Sequence, residues 1–255
     1  MAAFPLMLPG TSRPPKLVVF DLDHTLIACD ATILWTEFLY EKKIVTDPIW
    51  RQYDRDMVKS YAKGVLDIRD FCRKHAGAFR SIPEEKLHAL AQEFAKKKIA
   101  PLIFPDGKKW VKNALQANIP ACVLSASAAF IVKPIAKLFG LTDAMGIELD
   151  FKDGFCTGEI VGIPTFQEGK VERLSERLAE AGIGFEDVLF FTDSRNDLPL
   201  AERAGYTVCV NPDAVLESAA RKNGWKVAEW KLSLRTQMTA QVDAKGVPET
   251  QTVRS

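Results

Sequence analysis

The feature that most constrains the fold of this 255-residue chain is a series of short, continuous apolar runs. An apolar run without alternation is typical of a strand buried on both faces, as in a parallel sheet. Amphipathic helical patterns lie between the runs, and this alternation predicts an α/β fold with a doubly wound, Rossmann-like parallel sheet. The runs are Lys16–Phe20, Ala121–Leu124, Val188–Phe191 and Thr207–Val210, and the helical patterns are Lys108–Gln116, Phe130–Phe139 and Val171–Ala181.

Residues 31–100 interrupt this alternation. They show no strand pattern, and apolar residues recur there at helical spacing. We therefore predict a small helical cap, residues 31–100, inserted after the first strand, with residues 16–30 and 101–230 forming the α/β core. Met145–Ile163 alternate and are rich in glycine, which predicts a hairpin-like excursion. The proline-rich residues 1–15 and the polar residues 231–255 are expected to be a flexible leader and a flexible tail.

Charge and cysteine usage exclude several classes of protein. Lys plus Arg is 34 and Asp plus Glu is 33, and the net charge of +1 gives no overall electrostatic signal for nucleic acid or an anionic membrane. The five cysteines are scattered and form no C-x-x-C pair, which disfavours a disulfide framework or a zinc site and favours a reducing compartment. Charges and a proline interrupt the apolar stretch Ile119–Gly140, so it is too polar to cross a bilayer. We expect a cytoplasmic protein that acts on a small molecule and has no nucleic-acid or membrane partners. The sequence does not indicate its oligomeric state.

Polar side chains follow the carboxyl ends of three of the runs. Ligands of open α/β sheets bind outside the carboxyl ends of the strands, so these side chains are expected to meet at one site. A single aspartate there would most often be a capping residue, but the D-x-D pattern after the first run indicates metal binding or divided nucleophile and acid/base roles. The side chains are Asp21, Asp23 and Thr25 after the first run, Ser125 after the second, and Asp193, Asn196 and Asp197 after the third.

The charges in this set indicate the chemistry. The four aspartates would repel one another unless a cation lay among them. Hard oxygen ligands with few histidines or cysteines favour Mg²⁺ over zinc. Thr25, Ser125 and Lys170 are donors suited to the oxygens of a phosphoryl group. The set therefore predicts a Mg²⁺-dependent phosphoryl-transfer site, in which catalysis is mostly positioning and charge neutralisation.

Four segments resemble the ordered motifs of the haloacid dehalogenase-like phosphatases. They are FDLDHTLI, VLSAS, EGKVERL and FFTDSRNDLPL, and they cover the core from about residue 16 to residue 210. The helical segment between the first two resembles the small cap of the phosphoserine phosphatase branch. The resemblance implies a phosphoric monoester hydrolase that uses Mg²⁺ and forms an aspartyl-phosphate intermediate.

The resemblance also implies residue roles. Asp21 would be the nucleophile, and Asp23 would protonate the leaving oxygen and later deprotonate the attacking water. Lys170 would balance the charge on Asp21 and the phosphate, and Asp197 would orient Lys170 or a metal-bound water. The metal ligands would be Asp21, the backbone carbonyl of Asp23, and Asp193; the phosphate-binding residues would be Thr25, Ser125 and Asn196.

Substrate choice is expected to depend on the cap. Asp30 matches the acidic position, usually glutamate in the family, that receives a substrate amine. Arg73 falls where the family's cap arginine receives a carboxylate, with Arg69 and Arg80 as alternatives; otherwise Arg73 is a solvent-exposed helix residue. The second motif has Ser-Ala-Ser in place of Ser-Gly-Gly, which narrows the pocket. Phosphoserine is the first expected substrate.

Other interpretations remain open at this point. The substrate alternatives are histidinol phosphate or another phosphorylated amino alcohol, and a phosphotransferase would share the same core. A receiver domain also carries a phosphorylatable aspartate, but it is much shorter and has no helical insertion. The absence of a G-x-x-x-x-G-K-[ST] motif excludes a P-loop enzyme. His24, His75 and His88 are interpreted as packing, surface or hydrogen-bonded side chains.

Overall fold

The structure is a computed structural model that describes Leu8 and residues 13–232. Six strands form one parallel sheet in the order β3-β2-β1-β6-β7-β8, and two further strands form a separate antiparallel hairpin, β4–β5. The strands are β1 (Leu17–Phe20), β2 (Ala121–Ala128), β3 (Ala144–Ile147), β4 (Leu149–Lys152), β5 (Phe155–Ile160), β6 (Val188–Thr192), β7 (Tyr206–Val210) and β8 (Lys226–Ala228). The predicted doubly wound parallel sheet is confirmed.

The helices divide between the cap and the core. The first four follow β1, in the segment where the sequence predicts a helical insertion, and the fourth continues as a π-helical turn over Ala95–Ile99. None of the helices in the described part of the chain is long and apolar enough to cross a membrane. The helices are α1 (Ala31–Glu41), α2 (Ile49–Lys63), α3 (Ile68–His75), α4 (Glu84–Phe94), α5 (Pro105–Gln116), α6 (Ala129–Lys137), α7 (Glu168–Ala181), α8 (Leu198–Ala201) and α9 (Ala214–Asn223).

Burial of both faces explains why the central strands are continuous apolar runs. Strand β1 lies between β2 and β6, and none of its four residues is more than 1% exposed. Val18 and Phe20 face the layer that includes the cap, whereas Leu17 and Val19 pack in the cluster that contains residues of α7. Phe20 stacks on Phe191 of β6 with ring centroids 4.7 Å apart. Each large apolar side chain buried in this way stabilises the fold by roughly 1.5–3 kcal/mol.

The structure corrects the prediction for Met145–Ile163. Only β4 and β5 form the predicted hairpin, while β3 joins the main sheet beside β2. The glycine at 146 belongs to this packing, because a Cβ there would lie 2.8 Å from the Cα of Ala129. The edge strand β8 was not predicted, since its three residues are largely exposed and lack an apolar pattern.

The predicted flexible segments fall mostly beyond the described residues. Of the predicted leader, the structure describes Leu8, which is buried, and residues 13–15. Of the predicted tail, it describes residues 231 and 232. The remainder of both predictions lies outside the described part of the chain.

Candidate active site

The residues predicted for catalysis, phosphate binding and metal binding lie where the carboxyl ends of three adjacent strands meet. Strand β1 leads into Asp21 and Asp23, and its neighbour β6 leads into Asp193. On the other side of β1, Ser125 lies within β2, which is longer than predicted and continues to Ala128. Because these strands are parallel neighbours, their carboxyl ends converge at the same edge of the sheet. The polar side chains of all three therefore surround one point.

A buried lysine links two of the aspartates. The Nζ atom of Lys170 lies 2.7 Å from Oδ1 of Asp21 and 2.7 Å from Oδ1 of Asp197, and its side chain is 1% exposed. Thr192 donates its hydroxyl to Oδ2 of Asp197 at 2.7 Å. Burial alone would lower the pKa of Lys170, but the charges of Asp197 and Asp21 outweigh it and raise the pKa. Lys170 is therefore charged, and it holds one oxygen of Asp21 in place.

The start of α7 places this lysine. Gly169 precedes it, and a Cβ at that position would lie 1.9 Å from the carbonyl oxygen of Pro164. Only glycine permits so close an approach of the preceding loop to the helix. Gln167 is in the left-handed region with φ 49°, which lets the chain turn sharply into the helix. The Glu-Gly-Lys sequence thus brings Lys170 to the carboxyl ends of β1 and β6, where it contacts Asp21 and Asp197.

Asp23 is held by three hydrogen bonds. Its Oδ1 accepts from the backbone N–H of Ala31 at 2.7 Å. Its Oδ2 accepts from the hydroxyls of Ser127 at 2.8 Å and Ser125 at 3.2 Å. Burial is the largest influence on this carboxyl and raises its pKa to about 6. A carboxyl with that pKa can both give and take a proton near neutral pH, as a general acid and base must.

Asp193 is a buried carboxyl that is repelled by two other carboxylates. Burial, and then the charges of Asp21 and Asp197, raise its pKa well above the usual value of an aspartate. Thr25 donates its hydroxyl to Oδ1 of Asp193 at 3.1 Å. A cation between Asp21 and Asp193 would relieve this repulsion. The donor set fits Mg²⁺, which typically binds one or two carboxylates and keeps several waters.

Only two of the metal ligands predicted from the sequence are side chains. Among the described residues, no group of three or more acidic, histidine or cysteine side chains is arranged to hold a metal ion. Asp21 and Asp193 supply two carboxylates, and the third predicted ligand, from Asp23, is a backbone carbonyl. Water or phosphate oxygens would have to complete the coordination of a metal bound there.

Asn196 faces the cap rather than open space above the carboxylates. Its Nδ2 donates to the backbone oxygen of Tyr61 at 3.1 Å, and its Oδ1 accepts from Nε2 of Gln167 at 3.1 Å. Gln167 also donates to the backbone oxygen of Gly64, at 3.2 Å. These bonds join the last turn of α2 to the core. Tyr61 and Gln167 were not singled out in the sequence, because contacts between cap and core leave no local pattern.

A cavity of about 50 Å³ lies between the carboxylates and the cap. Asp30 lies at its edge as the N-cap of α1, accepting a hydrogen bond from the backbone N–H of Ile33 at 3.0 Å. Burial raises the pKa of the Asp30 carboxyl. Other lining residues are Asp23, Thr32, Met57, Phe71, Ser127 and Asp193. A larger cavity of about 410 Å³, between α4, α6 and the hairpin, contains none of the predicted site residues.

The structure does not bring Arg73 to this cavity. Its Nε is 2.8 Å from Oε1 of Glu159 on β5, and the arginine side chain is 53% exposed. Arg69 and Arg80 donate to backbone oxygens of the same region, those of Gly162 and Thr157. All three arginines therefore bond to residues of β5 or of the loop that follows it. None of the three lines the cavity in this structure, in which Arg73 has the exposure of the alternative interpretation, an exposed helix residue.

Named relatives of this chain include phosphatases. Residues 18–202 match the family described as haloacid dehalogenase-like hydrolase. A protein of Neisseria meningitidis named histidinol-phosphatase is 35% identical over 220 residues, which cover 85% of this chain and 99% of that protein. A phosphoserine phosphatase of Mycobacterium tuberculosis is 27% identical over 239 residues, covering 90% of this chain and 77% of its own.

Solved structures share the fold. A protein of unknown function from Bordetella pertussis superposes with a TM-score of 0.75 and 32% identity, covering 83% of this chain and 96% of that chain. A substrate-bound phosphoserine phosphatase superposes with a TM-score of 0.64 and 21% identity, covering 90% of this chain and 99% of that chain. The resemblance of the four motifs is thus confirmed by family match, relatives and fold, and the chain belongs to the haloacid dehalogenase-like hydrolases.

Proposed function

We propose that this phosphatase depends on Mg²⁺ and hydrolyses a small phosphomonoester that carries nitrogen groups and no carboxylate. The proposed substrate is histidinol phosphate. The observation that carries the proposal is the charge of the cavity beside Asp23. Asp23, Asp30 and Asp193 line it together with His24, and no arginine or lysine is among its described lining residues. The name of the Neisseria relative, histidinol-phosphatase, supports the same assignment.

Phosphoserine is the second candidate, because Asp30 would suit its amine as well. Phosphoserine also carries a carboxylate, which is costly to bury without a cation or several donors. Arg73 is paired with Glu159 and exposed, so it offers no such partner. Histidinol phosphate has the same amine and carries an imidazole-bearing group in place of that carboxylate, and both nitrogen groups suit an acidic cavity.

The chemistry would begin at Asp21. Lys170 holds Oδ1 of that carboxylate, and we assign Oδ2 as the atom that attacks phosphorus. The new Oδ2–P bond forms as the P–O ester bond breaks, and Asp23 gives its proton to the leaving alkoxide. The alcohol departs and an aspartyl-phosphate remains on Asp21.

The second half reaction would regenerate the enzyme. Asp23, now ionised, takes a proton from a water molecule that attacks phosphorus, and the Oδ2–P bond breaks to release inorganic phosphate. Asp21, Asp193 and the backbone carbonyl of Asp23 would hold Mg²⁺. When bound, the ion neutralises the negative charge of the phosphoryl oxygens and of Asp21.

Two hydroxyls would bind the phosphoryl oxygens. Thr25 donates to Asp193 and Ser125 donates to Asp23 in this structure. A phosphoryl group placed between these carboxylates would compete for both donors. Asn196 donates a hydrogen bond to the backbone oxygen of Tyr61, so it would assist phosphate binding indirectly, by holding the cap in position.

The test is phosphate release, with and without Mg²⁺, from histidinol phosphate, phosphoserine, phosphoethanolamine and an aryl phosphate. We expect Mg²⁺-dependent turnover with the highest kcat/KM for histidinol phosphate, and equal amounts of alcohol and phosphate released. A preference for phosphoserine would contradict the proposed substrate. Alcohol released in excess of phosphate, with the phosphoryl group recovered on an added acceptor, would indicate a phosphotransferase instead.

A further inference from the structure

A buried polar cluster in the cap has no part in the chemistry described above. It consists of Thr36, Asp54 and His75, which are 0%, 4% and 6% exposed. The Nε2 atom of His75 lies 3.0 Å from Oγ1 of Thr36 and 3.6 Å from Oδ1 of Asp54. Both carboxylate oxygens of Asp54 are buried, and neither has a hydrogen-bond partner that satisfies normal geometry among the described residues. A carboxylate left this way is costly to the fold, which calls for another reason for its presence.

The cluster lies one helical turn behind the wall of the substrate cavity. Each member shares a helix face with a residue that lines the cavity, because residues three or four apart lie on the same face. The pairs are Thr32 with Thr36 on α1, Met57 with Asp54 on α2, and Phe71 with His75 on α3.

His75 also lines a second, smaller cavity that adjoins the first. That cavity is about 20 Å³ in volume and shares Thr32, Phe71 and Ala126 with the substrate cavity. Phe79 and Phe130 form part of its apolar wall. Phe71 lines both cavities, and its ring stacks on that of His75 with centroids 5.1 Å apart. The shared lining residues therefore place the space beside His75 next to the space beside Asp23.

The neighbours of His75 favour one tautomer of its ring. The hydroxyl of Thr36 can donate to the backbone oxygen of Thr32, at 3.4 Å. With the hydroxyl turned that way, Nε2 of His75 donates to Oγ1 of Thr36, and the nearby Asp54 carboxyl favours a proton on the same nitrogen. Burial lowers the pKa of His75 to about 4, so the ring is neutral at physiological pH. In this tautomer Nδ1 is a hydrogen-bond acceptor, which suits an N–H donor.

We propose that His75 is a specificity-determining residue whose Nδ1 accepts a hydrogen bond from an N–H group at the end of the substrate remote from the phosphate. Thr36 and Asp54 are positioning residues that fix the tautomer of His75. This inference rests on the proposed function and adds the residue that recognises the remote end of the substrate. For histidinol phosphate the donor is an imidazole N–H, and the aromatic side chains around His75 suit a planar ring.

The test compares substrates that differ in the remote group. His75→Phe keeps a ring and removes the acceptor, whereas His75→Asn keeps an amide near the place of Nδ1. We expect His75→Phe to raise KM for histidinol phosphate about tenfold, as for one lost hydrogen bond. The kcat for that substrate and the KM for phosphoethanolamine, which has no ring, should stay unchanged. His75→Asn should recover part of the lost affinity.

Asp54→Asn tests the positioning role with little change of shape, and we expect a smaller rise in KM confined to histidinol phosphate. Asp56→Asn is the matched control, because Asp56 lies on the same helix and is exposed. Melting temperatures of all variants show that each is folded, and Asp54→Asn carries the test should His75→Phe not fold.

Two results would overturn the inference. One is an unchanged KM for histidinol phosphate in His75→Phe and Asp54→Asn; the other is an equal rise in KM for phosphoethanolamine. If the wild-type enzyme prefers histidinol phosphate, either of these results in the variants overturns the role of His75 and leaves the proposed function standing. A wild-type enzyme that hydrolyses the aryl phosphate and not histidinol phosphate overturns the proposed function, and the inference with it.

Discussion

Lys170 and Asp21 form a buried ion pair, with 2.7 Å between Nζ and Oδ1, although 149 residues separate them in the sequence. Asp197 completes the arrangement on the other side of the ammonium group. A single cation thus offsets two buried carboxylates and holds the side chain of Asp21, the proposed nucleophile, in one orientation. In the proposed mechanism, stability and catalysis depend on the same three groups.

Replacing Lys170 by methionine should both destabilise the protein and inactivate it. Two buried carboxylates would lose their partner, and breaking a buried pair in this way costs about 3–5 kcal/mol. We expect urea unfolding to show a loss of that order and phosphate release to fall below detection. Lys133→Met is a suitable control, since that lysine forms an exposed pair with Glu148. Equal stability of the two variants would contradict the account of Lys170.

Asp23→Asn should separate the two half reactions. The leaving group of a nitrophenyl phosphate needs no proton, so phosphorylation of Asp21 should persist without the acid. Hydrolysis of the aspartyl-phosphate should slow by about 10²–10⁴-fold because the base is absent. Stopped-flow absorbance should show a burst of one nitrophenolate per active site, followed by slow turnover. Ser127→Ala, which keeps Asp23, should show no burst, and rapid burst-free turnover by the Asn variant would exclude Asp23 as the base.

Arg73→Ala should leave substrate recognition unchanged. The guanidinium is exposed and pairs with Glu159 on the hairpin, and exposed pairs contribute little. We expect KM for phosphoserine and for histidinol phosphate to stay within about twofold of the wild-type values. A selective rise in KM for phosphoserine would restore Arg73 to the substrate site and weaken the case against a carboxylate-bearing substrate.

Asp54 should make the stability of the protein depend on pH. Burial raises the pKa of its carboxyl from 3.8 to about 7. The unfolded chain therefore releases this proton at lower pH than the folded protein does, and stability is lost as the pH rises from about 4 to about 7. Asp54→Asn removes that loss and should be more stable than the wild type by a larger margin at pH 8 than at pH 5.

The measurement for Asp54 is urea unfolding of both proteins at the two pH values. His75 titrates in the same range, but it is present in both proteins and so largely cancels from the difference. Asp56→Asn should show no such pH-dependent margin. A margin that is constant or shrinks with pH would show that Asp54 is not a strained buried acid.

The central strands and the carboxylate cluster could be predicted because both follow from local pattern. Strands β1 and β6 are buried on two faces, so an apolar run marks each within one residue of its observed bounds. Asp21 and Asp193 come directly after them, and parallel neighbours bring their carboxyl ends together. Residue type and topology thus predict a Mg²⁺-dependent phosphoryl-transfer site, whereas the role of each residue rests on the family resemblance.

The cap could not be predicted to the same depth. Which face of a helix meets the core depends on what packs on its other face, and α3 is covered on one side by the hairpin. Arg73 therefore points to Glu159, while His75, two residues later, points inward. Asp54 lies in a helix rich in charged residues, and nothing in that pattern distinguishes it from the exposed Asp56.

The most direct test of the central claim is the ratio of kcat/KM for histidinol phosphate to that for phosphoserine, measured with the wild-type enzyme at saturating Mg²⁺. A cavity lined by three aspartates, and by no arginine or lysine among the described residues, predicts a ratio well above 1, on the order of 10² or more, since an unpaired buried charge costs several kcal/mol. A ratio at or below 1 would contradict the claim that this cavity selects a substrate without a carboxylate.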